Sequence, residues 1–175
     1  MGRVPQRADL IDLETLHLKP GEGRRLDTHV RVEPLELAGQ PYTVPGTGVD
    51  THLDVSRTVS GYALRLRFDA AVSGACMRCV GDAAPVFSVD AREVDQPGDV
   101  EELHSPYMDA GLLDLAAWAR DALVLALPAQ IVCREDCLGL CAICGEELND
   151  ADPEDHRHAE AGDSRWAKLR DLELG

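Results

Sequence analysis

Apolar residues return at every second position over two stretches in the middle of the chain. From Tyr62, the series Tyr62, Leu64, Leu66, Phe68, Ala70 and Val72 falls on one face, while Arg65, Arg67 and Asp69 fall on the other. Side chains alternate faces along an extended backbone, so this period predicts a strand with one dry and one wet side, as in an antiparallel sheet. Leu53, Val55 and Val59 carry the same period just before it, and Ser60-Gly61 between the two series predicts a hairpin turn. A looser alternation over residues 24–37 (Leu26, Val30, Val32, Leu35) predicts another strand, and residues 86–94 a further one. The first twenty residues hold Leu10, Ile11, Leu13, Leu16 and Leu18, a strand or short helix that Pro20-Gly21 ends. Residues 38–48 and 95–111 read as loops.

The spacing changes to three and four over residues 114–127. Asp114 is placed to cap a helix, Leu113 and Trp118 sit where a hydrophobic staple would close its first turn, and Leu115, Ala119, Ala122, Leu123 and Ala126 form one stripe. Pro128 stops it, because proline lacks the N–H and the space a further turn needs. Beyond Gln130 the apolar pattern ends. From there to about residue 165 no run could form a core of its own, so something other than burial has to order this segment.

Composition narrows the function classes. The 175 residues carry 32 acidic against 17 basic side chains, a net charge of -15. Such a field repels nucleic acid, whose binding relies on neutralising phosphates, and favours basic protein partners. Two Trp, three Tyr and two Phe leave no stacking platform for single-stranded nucleic acid. The N-terminus has no apolar leader, the lipidation pattern fails at Gln6, and no apolar run is long enough to span a bilayer, which predicts a cytoplasmic protein without a membrane partner. Phosphate loops, nucleophile elbows and paired catalytic carboxylates are not found, so neither catalysis nor a small-molecule substrate is expected.

In a reducing compartment six cysteines point to metal or redox chemistry before disulfides. Cys141 and Cys144, followed by Gly145, have the two-residue gap that turns both sulfurs toward one tetrahedral ion. Downstream, His156 and His158 would share one side of an extended segment and complete a four-ligand set. Cys76 and Cys79 lie on the link between two strands, and Cys133 and Cys137 follow the helix. The preferred partition is two zinc sites, Cys76/Cys79/Cys133/Cys137 and Cys141/Cys144/His156/His158. The rival is one all-cysteine site from Cys133, Cys137, Cys141 and Cys144, with the upstream pair free. A thiol oxidoreductase using Cys76 and Cys79 is the enzymatic alternative, although such a pair normally opens a helix rather than joining two strands.

The order of these pieces resembles the YceD family, named for accumulation of large-subunit ribosomal RNA. The resemblance rests on Cys76-Met77-Arg78-Cys79-Val80 after a strand, Leu125 to Pro128 closing a helix, the run from Cys133 to Gly145, and Asp163-Ser164-Arg165-Trp166 leading into Leu169 and Leu172. Leu16 to Gly21 and Leu53 to Gly61 fit it as well. It implies a non-enzymatic accessory factor in large ribosomal subunit formation, with ribosomal proteins or precursor ribosomal RNA as partners. Family members commonly carry Cys-x-Cys where His156 and His158 stand, which preserves ligand capacity, and a proline at the position of Ser164.

The expectation is therefore an α+β protein. Residues 1–128 form a β-rich core, an antiparallel sheet or partly open barrel with one closing helix, and residues 129–175 form a zinc-stapled segment packed on it.

Overall fold

The computed structural model describes residues 6–7, 9–96, 98, 103–152, 156 and 158. Along the chain the strands are β1 (Gln6–Arg7), β2 (Leu10–Asp12), β3 (Gly23–Val30), β4 (Leu35–Leu37), β5 (Gln40–Tyr42) and β6 (Val49–Arg57). They continue with β7 (Tyr62–Ala71), β8 (Gly74–Ala75), β9 (Asp82–Ala83), β10 (Val86–Asp95), β11 (Met108–Asp109) and β12 (Leu112–Asp114), followed by helix α1 (Leu115–Ala126). The main sheet has the order β1-β3-β6-β7-β10, antiparallel except for the short parallel pair β1–β3. Among the described residues it ends at β1 and β10 and does not close into a barrel.

The alternation that predicts β7 is what the sheet uses. Tyr62, Leu64, Leu66, Phe68 and Ala70 are buried, as are Val49, Leu53 and Val55 of β6, and α1 packs over this side against β10, β3 and β2. Two hydroxyls on the same face, Thr28 and Thr51, are buried but satisfy each other at 2.6 Å, which removes the cost of leaving either unpaired. The other face is wet and charge-paired. Arg65 grips Asp90 at 2.8 and 2.6 Å, Asp54 lies between Arg25 and Arg67, and His29 and His52 pair with Asp50 and Asp27. The hydrogen bond from Arg25, seconded by Arg67, holds the Asp54 carboxyl below its ordinary range. Arg65 and Arg67 thus have carboxylates for neighbours.

Helix α1 begins as its sequence predicts. The Asp114 carboxylate accepts the Ala117 N–H at 2.9 Å, and Leu113 and Trp118 are both buried. Losing that cap leaves an orphan N–H, so Asp114→Ala is expected to cost about 1 kcal/mol, or about 2–4 °C in melting temperature, measured by circular dichroism.

Several details differ from the sequence pattern. The span 24–37 is two strands, β3 and β4, and the loops at 38–48 and 95–111 contain β5 and β11. The N-terminal apolar series splits into β2 and a 3-10 turn at Glu14–Leu16, and β2 pairs with β12 beside the start of the helix. Val59 sits in the β6–β7 turn, where Thr58 and Gly61 bond each other, and is 90% exposed rather than inward. Ala126 lies at the exposed end of the helix.

Candidate metal centre

Leaving the sheet after β7, the chain forms a small hairpin of β8 and β9 with Cys76 and Cys79 at its tip. The Cys76 N–H donates to the Gly81 carbonyl at 2.7 Å, the Val80 N–H to the Cys76 carbonyl at 2.9 Å, and the Arg78 N–H points to the Cys76 sulfur at 3.4 Å. This closes a tight loop with both sulfurs turned inward and Val80 in the left-handed region, φ 63°. Tyr42 buttresses the base, its ring against Gly74 and its hydroxyl donating to the Ala75 carbonyl at 2.7 Å.

The segment after α1 lies along this loop. Ile131 is fully buried, and its carbonyl accepts the Met77 N–H at 2.8 Å. The Cys133 N–H reaches the Cys76 sulfur at 3.3 Å, and the Arg78 guanidinium donates to the Cys137 carbonyl at 3.1 Å. Together these contacts bring Cys133 and Cys137 to the hairpin tip. The four sulfurs lie within 4.8 Å of one another, with Cys76–Cys137 and Cys79–Cys133 each at 3.8 Å.

The second group repeats the first. Cys141 N–H donates to the Glu146 carbonyl at 2.8 Å, Gly145 N–H to the Cys141 carbonyl at 2.9 Å, and Ile143 N–H points to the Cys141 sulfur at 3.4 Å. Gly145 takes the place of Val80, with φ 78°. A left-handed backbone suits glycine but costs a β-branched residue about 1–2 kcal/mol. The sulfur of Cys144 lies 3.4 Å from His156 Nε2, and the two histidine Nε2 atoms are 3.2 Å apart. His156 sits in a turn, its N–H bonded to the Asp152 carbonyl, rather than in the extended run expected from i, i+2 spacing. The imidazoles converge because their rings meet edge to face, 4.8 Å between centroids. Glu146 stands 3.4 Å from Nδ1 of His156, the nitrogen that faces away from the group.

These separations test whether the donors suit a shared cation. Sulfurs about 2.3 Å from one ion at tetrahedral angles lie about 3.8 Å apart, a sulfur and a nitrogen about 3.6 Å, and two nitrogens about 3.3 Å. A disulfide would require about 2.05 Å. The observed distances match the edges of a tetrahedron, and each of the two groups can hold a metal ion.

Electrostatics agree. Burial opposes ionisation of Cys76, but the N–H groups of Cys79, Arg78 and Cys133 outweigh it and bring that thiol down to about 6. The N–H groups of Cys144 and Ile143, with His156, bring Cys141 to about 6 as well. The sulfur of Cys133 faces the other three, and partial loss of water around it together with the Cys137, Cys79 and Cys76 sulfurs pushes it up to about 12. One thiolate per group forms readily. Further ones crowd like charges at under 4 Å, which a bound cation relieves.

All eight candidate ligands fall within the described residues, and they gather as the preferred partition divides them. Two supporting residues carry no ligand spacing and are visible only in space: Glu146, and Asn149, whose side chain accepts the Leu138 N–H at 2.9 Å. The Asp163 to Leu172 motif lies outside the described residues. The helix, at 12 residues, is not long and apolar enough to cross a membrane.

A sequence model of the family described as large ribosomal RNA subunit accumulation protein YceD matches residues 64–173, a span that holds all eight candidate ligands. Uncharacterized proteins of Mycobacterium bovis and Mycobacterium tuberculosis are each 28% identical over 171 residues, covering 93% of this chain and 80% of theirs. No solved structure matches.

Proposed function

The chain belongs to the YceD family of large ribosomal RNA subunit accumulation proteins, and from that premise we propose a zinc-stapled, non-enzymatic accessory factor that handles a basic ribosomal protein during large-subunit assembly. Zinc is the cation that the donors favour, because sulfur and imidazole at tetrahedral spacing suit it and it needs no redox partner. Cys76, Cys79, Cys133 and Cys137 would hold one ion, and Cys141, Cys144, His156 and His158 the other. Four protein donors per ion leave no open position for an activated water, so the ions supply cross-linking rather than reaction chemistry.

The observation that carries the partner is charge. A net charge of -15 attracts basic proteins and repels ribosomal RNA, and three arginines of the sheet face, Arg25, Arg65 and Arg67, are engaged by Asp54 and Asp90. The lowered thiol of Cys76 favours a second reading, a thiol oxidoreductase using Cys76 and Cys79. Against it, Cys76 is 1% exposed and lies under Ile131 and Cys133, where a substrate disulfide has no approach.

Metal content of protein purified without chelator, paired with thiol titration before and after metal removal, tests the reading. Two zinc ions per chain and six thiols protected until chelation are expected. Fast reaction of Cys76 and Cys79 in the zinc-loaded protein would support the oxidoreductase instead.

A further inference from the structure

The two cysteine loops differ at one informative position. Where the second has Gly145 in the left-handed region, the first has Val80, a residue type that pays for that backbone and here gains no packing in return, since it is 68% exposed. Strain held in place without a folding benefit is a mark of function.

Val80 does not stand alone. Gly139, φ 79°, lies so close to Arg78 that an added Cβ would meet the Arg78 carbonyl at 3.1 Å. That approach seats Leu138, 65% exposed, beside the same loop. Leu140 follows two residues on, in a run bridged to Glu147, and is also exposed. Carboxylates border these apolar positions. Asp82 comes two residues after Val80, Asp136 two before Leu138, and Glu147 across from Leu140, all exposed. Of the neighbouring cations, Arg78 is turned to Gln130 and the Cys137 carbonyl, whereas Arg134 pairs with Asp136 at 3.3 Å and donates to the Asn149 carbonyl. That leaves Asp82 and Glu147 as the border carboxylates that no arginine pairs among the described residues.

The geometry points to Val80 and Leu138 as the apolar centre of a docking surface for a basic protein segment that presents an apolar side chain of its own. This rests on the functional reading above and deepens it by locating the contact. An apolar centre inside a carboxylate border fits a lysine- or arginine-rich protein, whereas a phosphate backbone would meet like charge. The loop holds Val80 out in water because burial comes only with the partner.

The test uses the zinc-loaded full chain, immobilised, with Val80→Asn and Leu138→Asn variants. Asparagine tolerates the left-handed backbone but removes the apolar surface. The probes are proteins stripped by salt from purified large ribosomal subunits, identified by mass spectrometry, and the stripped ribosomal RNA in a parallel arm. Expected are capture of a basic protein by the parent chain, a loss of about tenfold in affinity with each variant, and unchanged zinc content. The melting temperature of Val80→Asn should stay level or rise by about 2–4 °C as strain is relieved. Variants that capture as well as the parent overturn the docking surface and leave the functional reading standing. A fall of several degrees for Val80→Asn would make the residue a packing element and likewise overturn the surface. A parent chain that retains RNA but no ribosomal protein overturns the functional reading itself, and the surface with it.

Discussion

Cys76→Ser is expected to lower bound zinc from two ions per chain to one and to cost on the order of 4 kcal/mol of stability, since loss of a metal is among the few single changes with so large an effect. The position explains the size. Cys76 is buried, its sulfur receives the N–H groups of Arg78 and Cys133, and its group ties the β8–β9 hairpin to the segment after α1. Serine at that place cannot provide a thiolate, and it leaves three sulfurs without their fourth partner. For a chain of this size the loss corresponds to a drop of about 10 °C in melting temperature, readable by calorimetry alongside zinc analysis. Cys144→Ser is the matching control. It should also release one ion, but the main transition should shift by no more than about 2 °C, because its group joins only residues within the tail. If instead Cys133, Cys137, Cys141 and Cys144 shared a single ion, Cys144→Ser would abolish zinc binding and Cys76→Ser would not change it.

Trp118→Ala is expected to cost about 3–5 kcal/mol without changing the zinc count. In a chain with seven large aromatics the core is mostly aliphatic, and Trp118, 2% exposed, is the largest side chain that α1 puts toward the sheet. It stacks on Tyr107 with ring centroids 6.3 Å apart, and Tyr107 donates to the Asp121 carboxylate at 3.2 Å, so the truncation empties the site and loosens its neighbour. Denaturant unfolding measures the loss. An intact stoichiometry of two zinc ions in the folded variant would separate the stability of the sheet and helix from that of the metal groups.

What the sequence discloses depends on how much periodicity each element has. β7 is legible because ten residues alternate between a wet and a dry face, and α1 because Asp114 and Pro128 bracket it. The thiol groups are legible from their two-residue gaps. The short strands β1, β11 and β12 are not: β1 is fixed by a partner far away in the chain, and β11 and β12, joined by the two-residue turn at Ala110-Gly111, are too short to show a period, β12 being held on its other side by the distant β2. β5 hides behind Pro41, which a strand accepts only at an edge, as in the two-stranded β4–β5 pair. Val59 follows the strand period by composition, but the turn begins before it, so its phase carries no burial. The convergence of His156 and His158 is legible as ligand spacing, while the turn at His156 is not, because the Asp152 carbonyl that bonds its backbone gives no pattern in sequence.

The pairing of the β8–β9 hairpin with the segment after α1 has a consequence for the order in which a growing chain can finish folding. Strands β3, β6, β7 and β10 find their neighbours as soon as they emerge, but the hairpin tip waits for Ile131, whose carbonyl takes the Met77 N–H, and for Cys137, whose sulfur meets Cys76. Until translation has delivered those residues, Cys76 and Cys79 stand uncovered at the end of an otherwise formed sheet, so the interval in which they are open to oxidants is set by elongation through α1 rather than by the folding of the sheet itself.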